Sequence, residues 1–322
     1  MIKYVLKRLF MMIPVLIGVV IIVFTINYFS TVSPAVILAG ANASAEDIAV
    51  KNAELGLDRP YLVQIGSYFY DMVFHTSLGT SYIYKQPVLS MIATRMPYTL
   101  RIGVIAAAIS AVIGVSLGIL GAVKQNSACD YISTILSIVC AALPPFLVCL
   151  GLMLIFSVKL RVLPIQGVQS WKGYILPIIA TGLSPVAMTA RMTRSSMLEV
   201  IRQDYIRAAR AKGIPEQVVI WNHTLKNALI PILTVVGMNF GLSMTGSVIC
   251  ETIFNIPGLG LLMSSSISQR DFITTQGCVL ICAFIVCLMN LLTDLCYAFV
   301  DPRIKAQYGG KRKTKAKQGG AL

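Results

Sequence analysis

The densest polar chemistry in the chain lies in the segment 191–226. Its centre reads Asp204-Tyr-Ile-Arg-Ala-Ala-Arg-Ala-Lys-Gly213-Ile-Pro-Glu216. Gln203 to Lys212 is rich in helix formers, and Gly213 followed by Pro215 is a stop-and-restart signal. The spacing predicts a helix, a glycine corner and a second short helix with Pro215 in its first turn. Ile201, Tyr205, Ala208, Ala209 and Lys212 fall on one face at three- and four-residue spacing, with Arg207 and Arg210 to the side. Two adjacent alanines before a glycine offer a smooth surface that another protein can approach closely. An ordinary positively charged loop needs the charge but not this order, and the pattern alone leaves both readings open.

Other residues suited to chemistry are few. His75 and His223 are the only histidines, so no His-based metal cluster is expected. Eight cysteines form no Cys-x-x-Cys pair, and most (Cys140, Cys149, Cys278, Cys282, Cys287, Cys296) lie within apolar runs, where thiols behave as small hydrophobes. There is no Gly-x-x-x-x-Gly-Lys-Ser/Thr loop and no His-Glu-x-x-His. The chain is therefore expected to hydrolyse nothing, to hold no metal and to bind no cofactor of its own.

The elements that position the basic segment are membrane spans. The sequence is 56% hydrophobic and 12% charged, with a mean hydropathy of +0.77, which marks an integral membrane protein. Charge-free runs at 9–29, 102–123, 131–158, 173–190, 227–250 and 272–293 predict six spanning helices, the fourth being the shortest. Of 27 Lys and Arg, 18 fall in the two termini and the second–third and fourth–fifth loops, so both termini are expected on the cytoplasmic side. Lys3, Lys7 and Arg8 ahead of the first run resemble a signal peptide, but its length predicts a retained anchor.

Between spans one and two an external segment is expected, with an amphipathic helix presenting Tyr61, Ile65, Tyr68, Phe69, Met72 and Val73. That face suits either the protein's own outer surface or an external partner. Gly114, Gly118 and Gly121 in span two, and Gly237, Gly241 and Thr245 in span five, predict close helix approach, chiefly within the chain. Pro144-Pro145 should bend or break span three. Asn239, Ser243, Thr245 and Ser247 are the best pore-lining candidates, each equally able to bond between helices. Asp294, near the end of span six, is expected to cap or pair. The basic tail 301–322 should lie against anionic lipid headgroups rather than nucleic acid.

Two runs carry a family resemblance. Arg207-Ala-Ala-Arg-Ala-Lys-Gly213, followed by His223-Thr-Leu-Lys-Asn-Ala-Leu-Ile-Pro231, resembles the cytoplasmic loop of binding-protein-dependent ABC importer permeases, nearest their dipeptide/oligopeptide and nickel branch. Ala208, Ala209 and Gly213 match the wider superfamily, whereas Arg207 stands where it has Glu and Lys226 where it has Pro. Glu251-Thr-Ile-Phe-Asn-Ile-Pro-Gly-Leu-Gly260 is similar to a family run that looks like an external plug or gate, which would involve Glu251, Phe254, Pro257, Gly258 and Gly260. By spacing alone, that stretch is a short external loop with a turn at Pro257-Gly258, and its acid would be solvated.

The resemblance implies an all-α membrane protein with the type I ABC importer permease fold, the B-type member of a permease pair. Its parts would be an N-terminal end and first helix (1–30), an external segment (31–97), a permease core (98–300) containing the coupling loop 191–226, and the tail (301–322). It implies coupling to the ATPase through Asp204, Tyr205, Arg207, Ala208, Ala209, Lys212 and Gly213. Partners would be a second homologous permease, two ABC ATPase subunits holding ATP and Mg, and an extracytoplasmic substrate-binding protein, all in a bacterial or archaeal cytoplasmic membrane. Peptides are the implied substrate, with nickel or metal chelates and glutathione as alternatives. A stand-alone channel or secondary carrier is the competing class. Gly213→Trp or Ala209→Glu is expected to leave insertion intact but abolish ATPase stimulation and uptake, and full uptake in both variants would contradict the coupling assignment.

Overall fold

The computed structural model describes residues 2–30, 33–40, 42–244 and 248–300, and the basic tail lies outside them. In lipid every backbone polar group must be paired within the protein, and helices achieve this segment by segment. Five stretches are long and apolar enough to cross a membrane: Val5–Tyr28, Val88–Val123, Trp171–Ile201, Glu216–Ile253 and Phe272–Cys296. The six expected spans are reached only if a sixth, sharply bent pair is included. That pair, Ala128–Ala142 and Pro145–Lys159, turns through 103° at the expected proline break.

In chain order the helices are α1 (Ile2–Tyr28), α2 (Pro34–Ala39), α3 (Ala45–Glu54), α4 (Tyr61–Phe74), α5 (Val88–Val123), α6 (Ala128–Ala142), α7 (Pro145–Leu152), α8 (Ile175–Ile201), α9 (Asp204–Ala211), α10 (Glu216–Val218), α11 (Lys226–Met244), α12 (Val248–Ile253), α13 (Leu259–Ser268) and α14 (Phe272–Val300). Wide π-helical turns extend α7 through Met153–Lys159 and join α10 to α11 through Val219–Leu225. Helix α5 starts 14 residues before the charge-free run, because Arg95 and Arg101 are carried inside it. Helix α5 thus begins within the segment expected to be external.

Helices α5, α8 and α11 form the centre, with α6 on α8, α14 on α11, and α1 outermost on α14. Small residues set these approaches. A Cβ on Gly114 would meet Thr189 Cβ at 2.7 Å, and one on Gly118 would overlap Thr193 and sit 2.6 Å from the Ala190 carbonyl. Gly103 lies as tightly on the Ser243 backbone, and Gly237 on Thr293. The expected close packing thus occurs inside the chain. Between them Ser110 Oγ donates to the Gly182 carbonyl at 2.9 Å, a link from α5 to α8 that the short hydroxyl makes possible.

Two ion pairs close the end of the bundle from which α6 and α11 start. Asp130, 2% exposed, receives Arg194 Nε at 2.5 Å and Nη2 at 2.7 Å, pinning α6 to α8 over Gly121. Arg8 reaches Asp294 at 2.9 Å, joining α1 to α14, so the acid pairs as expected. At the opposite end α4 lays Ile65, Tyr68, Phe69 and Met72 onto the protein, while Val73 faces outward. The face shared by these side chains is thus largely used up within the chain.

Helix packing of this kind makes a sharp contrast between two glycines. Gly118→Ala drives a methyl into Thr193 and is expected to cost about 1–3 kcal/mol. Gly151→Ala meets nothing within 4 Å. It should add about 0.5–1 kcal/mol by restricting the unfolded chain. Thermal unfolding in detergent should therefore move in opposite directions for the two variants.

Candidate functional site

Helix α9 begins at Asp204, whose carboxylate complements the positive end of the helix dipole. Its buried face is Ile206 (0% exposed) and Ala209 (8%), which rest on Val219, with Val200 and Ile214 alongside. Of the face expected to meet another protein, Tyr205, Ala208 and Lys212 do point outward, whereas Ala209 is buried together with Ile206, which that face did not include. The inward register follows from the small core beneath the helix, which arithmetic along α9 cannot supply. Gly213 then turns with φ +77°, in the left-handed region that favours glycine. Across the turn Arg210 grips Glu216 through two bonds, Nη2–Oε1 at 2.6 Å and Nε–Oε2 at 3.1 Å.

No separate second helix follows. The chain restarts at Glu216 and winds through the wide turn, where Thr224 Oγ1 donates to the Val219 carbonyl at 3.0 Å, directly into α11. The corner is thus stiffly continuous with a spanning helix. Asp204, Tyr205, Arg207, Ala208 and Lys212 form its exposed rim. Ala209 belongs to the support beneath, so Ala209→Glu would break the corner's own core, whereas Ala208→Glu alters only the surface presented outward.

The pore candidates fall in different settings. Thr245 and Ser247 lie outside the described residues. Asn239, 6% exposed, donates Nδ2 to Thr189 Oγ1 at 3.1 Å and to the Pro185 carbonyl at 3.4 Å, an interhelical tie between α11 and α8. Ser243 is likewise buried, but it borders a cavity of about 170 Å³ at the α6–α7 crease, together with Thr181, Ser184, Pro145 and Leu242. Pro144 and Pro145 carry no N–H, so the carbonyls of Cys140 and Ala141 lose their helical partners, and no backbone donor replaces them among the described residues. Thr181 Oγ1 is also buried, with only the Cys250 thiol beside it. Freed carbonyls at membrane depth are tolerated where water or another chain reaches them.

Glu251 is not solvated. It is 2% exposed and acts as the hub of the 251–260 loop. Its Oε1 accepts from Thr99 Oγ1 at 2.7 Å, and its Oε2 accepts from the N–H groups of Gly260 at 2.6 Å and Leu261 at 3.2 Å. Thr99 in turn accepts from Leu259 N–H at 2.8 Å. A side chain on Gly258 would overlap Glu251 and sit 2.6 Å from Thr99 Oγ1. One on Gly260 would come 2.9 Å from the same carboxylate. Both glycines therefore exist to let the acid reach backbone donors. Phe254 is buried, its carbonyl accepting from Gly167 N–H at 2.8 Å, and Pro257 is exposed.

A second acid of this kind, Asp271, caps α14 through Thr274 Oγ1 at 2.7 Å and reaches back to Ser81 and to Tyr82 N–H at 3.3 Å. Burial and the Asp271 charge together push the Tyr82 phenol up to about 12. The sequence reading missed Thr99, Asp271 and Ser81, because each partner lies more than 150 residues away. A lone acid beside Gly-x-Gly, or just before a helix, is the only local signal.

Matches to known families cover nearly all of the chain. Residues 114–306 match the binding-protein-dependent transport system inner membrane component, and residues 1–103 match its N-terminal component. The chain belongs to this permease family. It is 40% identical to the dipeptide transport system permease protein DppB of Alkalihalophilus pseudofirmus, over 95% of this chain and all of that one. It is 39% identical to the glutathione transport system permease protein GsiC of Salmonella choleraesuis, over 95% of this chain and 99% of that one. Among solved structures, an inward-facing MetNI methionine ABC transporter chain aligns with a TM-score of 0.55 at 16% identity, covering 66% of this chain and 97% of its own. A chain of an amino acid ABC transporter aligns with a TM-score of 0.53 at 16% identity, covering 64% and 92% respectively. The fold of this multi-pass membrane permease is therefore that of an ABC importer permease.

In this permease Thr99 can be tested apart from the rest. Thr99→Val leaves Glu251 Oε1 and Leu259 N–H unpaired in a buried site, each costing about 1–3 kcal/mol. Amide exchange over 254–262 should accelerate and the unfolding temperature should fall, while Thr99→Ser, which keeps the hydroxyl, should behave as the parent.

Proposed function

We propose that the chain is one of two membrane-spanning halves of an ATP-driven importer for small peptides, in a bacterial cytoplasmic membrane, with both termini inside. The corner at 204–216 is the lever. Its exposed rim of Tyr205, Arg207, Ala208 and Lys212 stands on a small core and is braced by the Arg210–Glu216 clip, and it leads without a joint into α11. A motor that moves the rim therefore moves a spanning helix. This continuity is the observation that carries the reading. ATP and Mg are held by two separate ATPase subunits, since the chain has no phosphate-cradling loop. A second permease completes the path, and an external binding protein supplies the ligand.

The substrate route runs beside the crease at Pro144–Pro145, where the Cys140 and Ala141 carbonyls and the Thr181 and Ser184 hydroxyls suit the ammonium and amide N–H groups of a peptide. The dipeptide and glutathione names of the relatives support a short peptide cargo.

The test is reconstitution in vesicles with and without the partner subunits. The chain alone should neither hydrolyse ATP nor pass dipeptides. Within the full complex, Ala208→Glu should assemble less well with the ATPase and lose at least about 90% of uptake, several kcal/mol of docking surface being at stake. Dipeptide flux through the chain alone, driven by an ion gradient, would instead establish a secondary carrier.

A further inference from the structure

A cavity of about 410 Å³ opens at the end of the bundle remote from the coupling corner, between the last turn of α1, helices α2 and α3 with the turn that follows them, helix α4 and the first turn of α14. Three buried polar atoms of residues on its wall lack a close hydrogen-bond partner: the side-chain nitrogens of Asn27 and Gln276, and the hydroxyl of Tyr68, the last two lying side by side. Gln276 is 4% exposed and Tyr68 9%. As packing alone, three orphaned groups in one hollow are destabilising; as the wall of a binding site they are ready-made donors. Burial lifts the Tyr68 phenol to about 12, with Gln276 alongside pulling it partly back. Tyr82, on the same wall, stands at about 12 as well. Both phenols therefore stay protonated at physiological pH.

The wall also says what it would refuse. Among the described residues no Lys, Arg or His lines it, and the one charged lining residue is Asp58. A phosphate or free carboxylate inside the hollow would find no countercharge and one repelling acid, so a lipid could place its esters there only with its headgroup outside. Neutral acceptors, such as ester carbonyls, match a donor-rich and cation-free lining flanked by Phe24, Tyr28 and Phe272.

Depth narrows the choice. Asn27 is 19 residues along α1 from Arg8. At 1.5 Å per residue this is about 28 Å, close to the ~30 Å hydrocarbon thickness of a bilayer. The rings of Phe24 and Tyr28 meet Tyr61 edge-on at 5.7 and 5.2 Å, an aromatic cluster of the kind found at the membrane boundary. From there towards Arg8, α1 exposes Ile26, Ile22, Val15 and Met11 along one face. The hollow thus sits where the glycerol esters of a lipid lie, near an apolar strip that its chains could follow.

We propose that this cavity binds one diacyl phospholipid, with its ester carbonyls accepting from Asn27, Gln276 and Tyr68 and its acyl chains lying along α1. The lipid would fill the hollow between the outermost helix and the transport core, and this holds whatever the cargo is.

The test uses the delipidated full complex in detergent, with native mass spectrometry reading bound lipid. The probes are palmitoyl-oleoyl phosphatidylethanolamine, its diether analogue without carbonyls, and glycerophosphoethanolamine without chains. The diester should bind one per chain, and the diether roughly tenfold or more weakly, as expected for lost hydrogen bonds. Gln276→Leu and Tyr68→Phe should erase that preference. Equal binding of diester and diether to the parent complex overturns the proposal, as does binding of glycerophosphoethanolamine, or displacement of the lipid by a dipeptide. Should a variant fail to fold, the diester–diether comparison on the parent complex still decides.

Discussion

The whole structure answers one constraint: a chain surrounded by lipid must pair its own backbone and buried polar groups, because no water is there to do it. Most helices comply by themselves. The places where compliance needs a side chain are few, and they are the places where the fold is joined. Glu251 collects a hydroxyl and two backbone N–H groups, and so fixes the 251–260 loop to α5. Asp271 does the same between α14 and the segment before α5. Asp130 with Arg194, and Arg8 with Asp294, lock the other end. Each acid therefore marks a junction, and none is spare for a proton relay of its own.

The proposed function draws on two places in this frame. The crease at Pro144–Pro145 releases two carbonyls next to a buried threonine, which is tolerable in a bilayer only beside water or another chain. The corner at Gly213 meets the need with a turn, a clip and a three-residue core, leaving its rim for contact. In the proposed reading, α11 runs from the corner at 204–216 to the cavity at the crease, which is what mechanical coupling through a two-state rearrangement needs.

Much of this was legible in the sequence. Charge-free runs gave the spans, Pro144-Pro145 the break, glycines at four-residue spacing the close crossings, and Gly213 the corner, because each depends on residues near one another in the chain. The rest depended on partners far away. Ile206 is buried by Val219 across the corner, Glu251 by Thr99 on another helix, and Asn239 by Thr189. An acid in an apolar context reads as solvated until the donors that surround it are known. Arg95 and Arg101 likewise hid the true start of α5, since the run of uncharged residues ends where the helix does not.

The account stands on the claim that the 204–213 rim is covered by a separate motor. Maleimide labelling of Ala208→Cys, located by mass spectrometry, compares the chain alone with the assembled complex held in nucleotide. Strong labelling of the isolated chain and protection on assembly is the predicted result. Equal labelling in both states, in a complex shown to be intact, would contradict it.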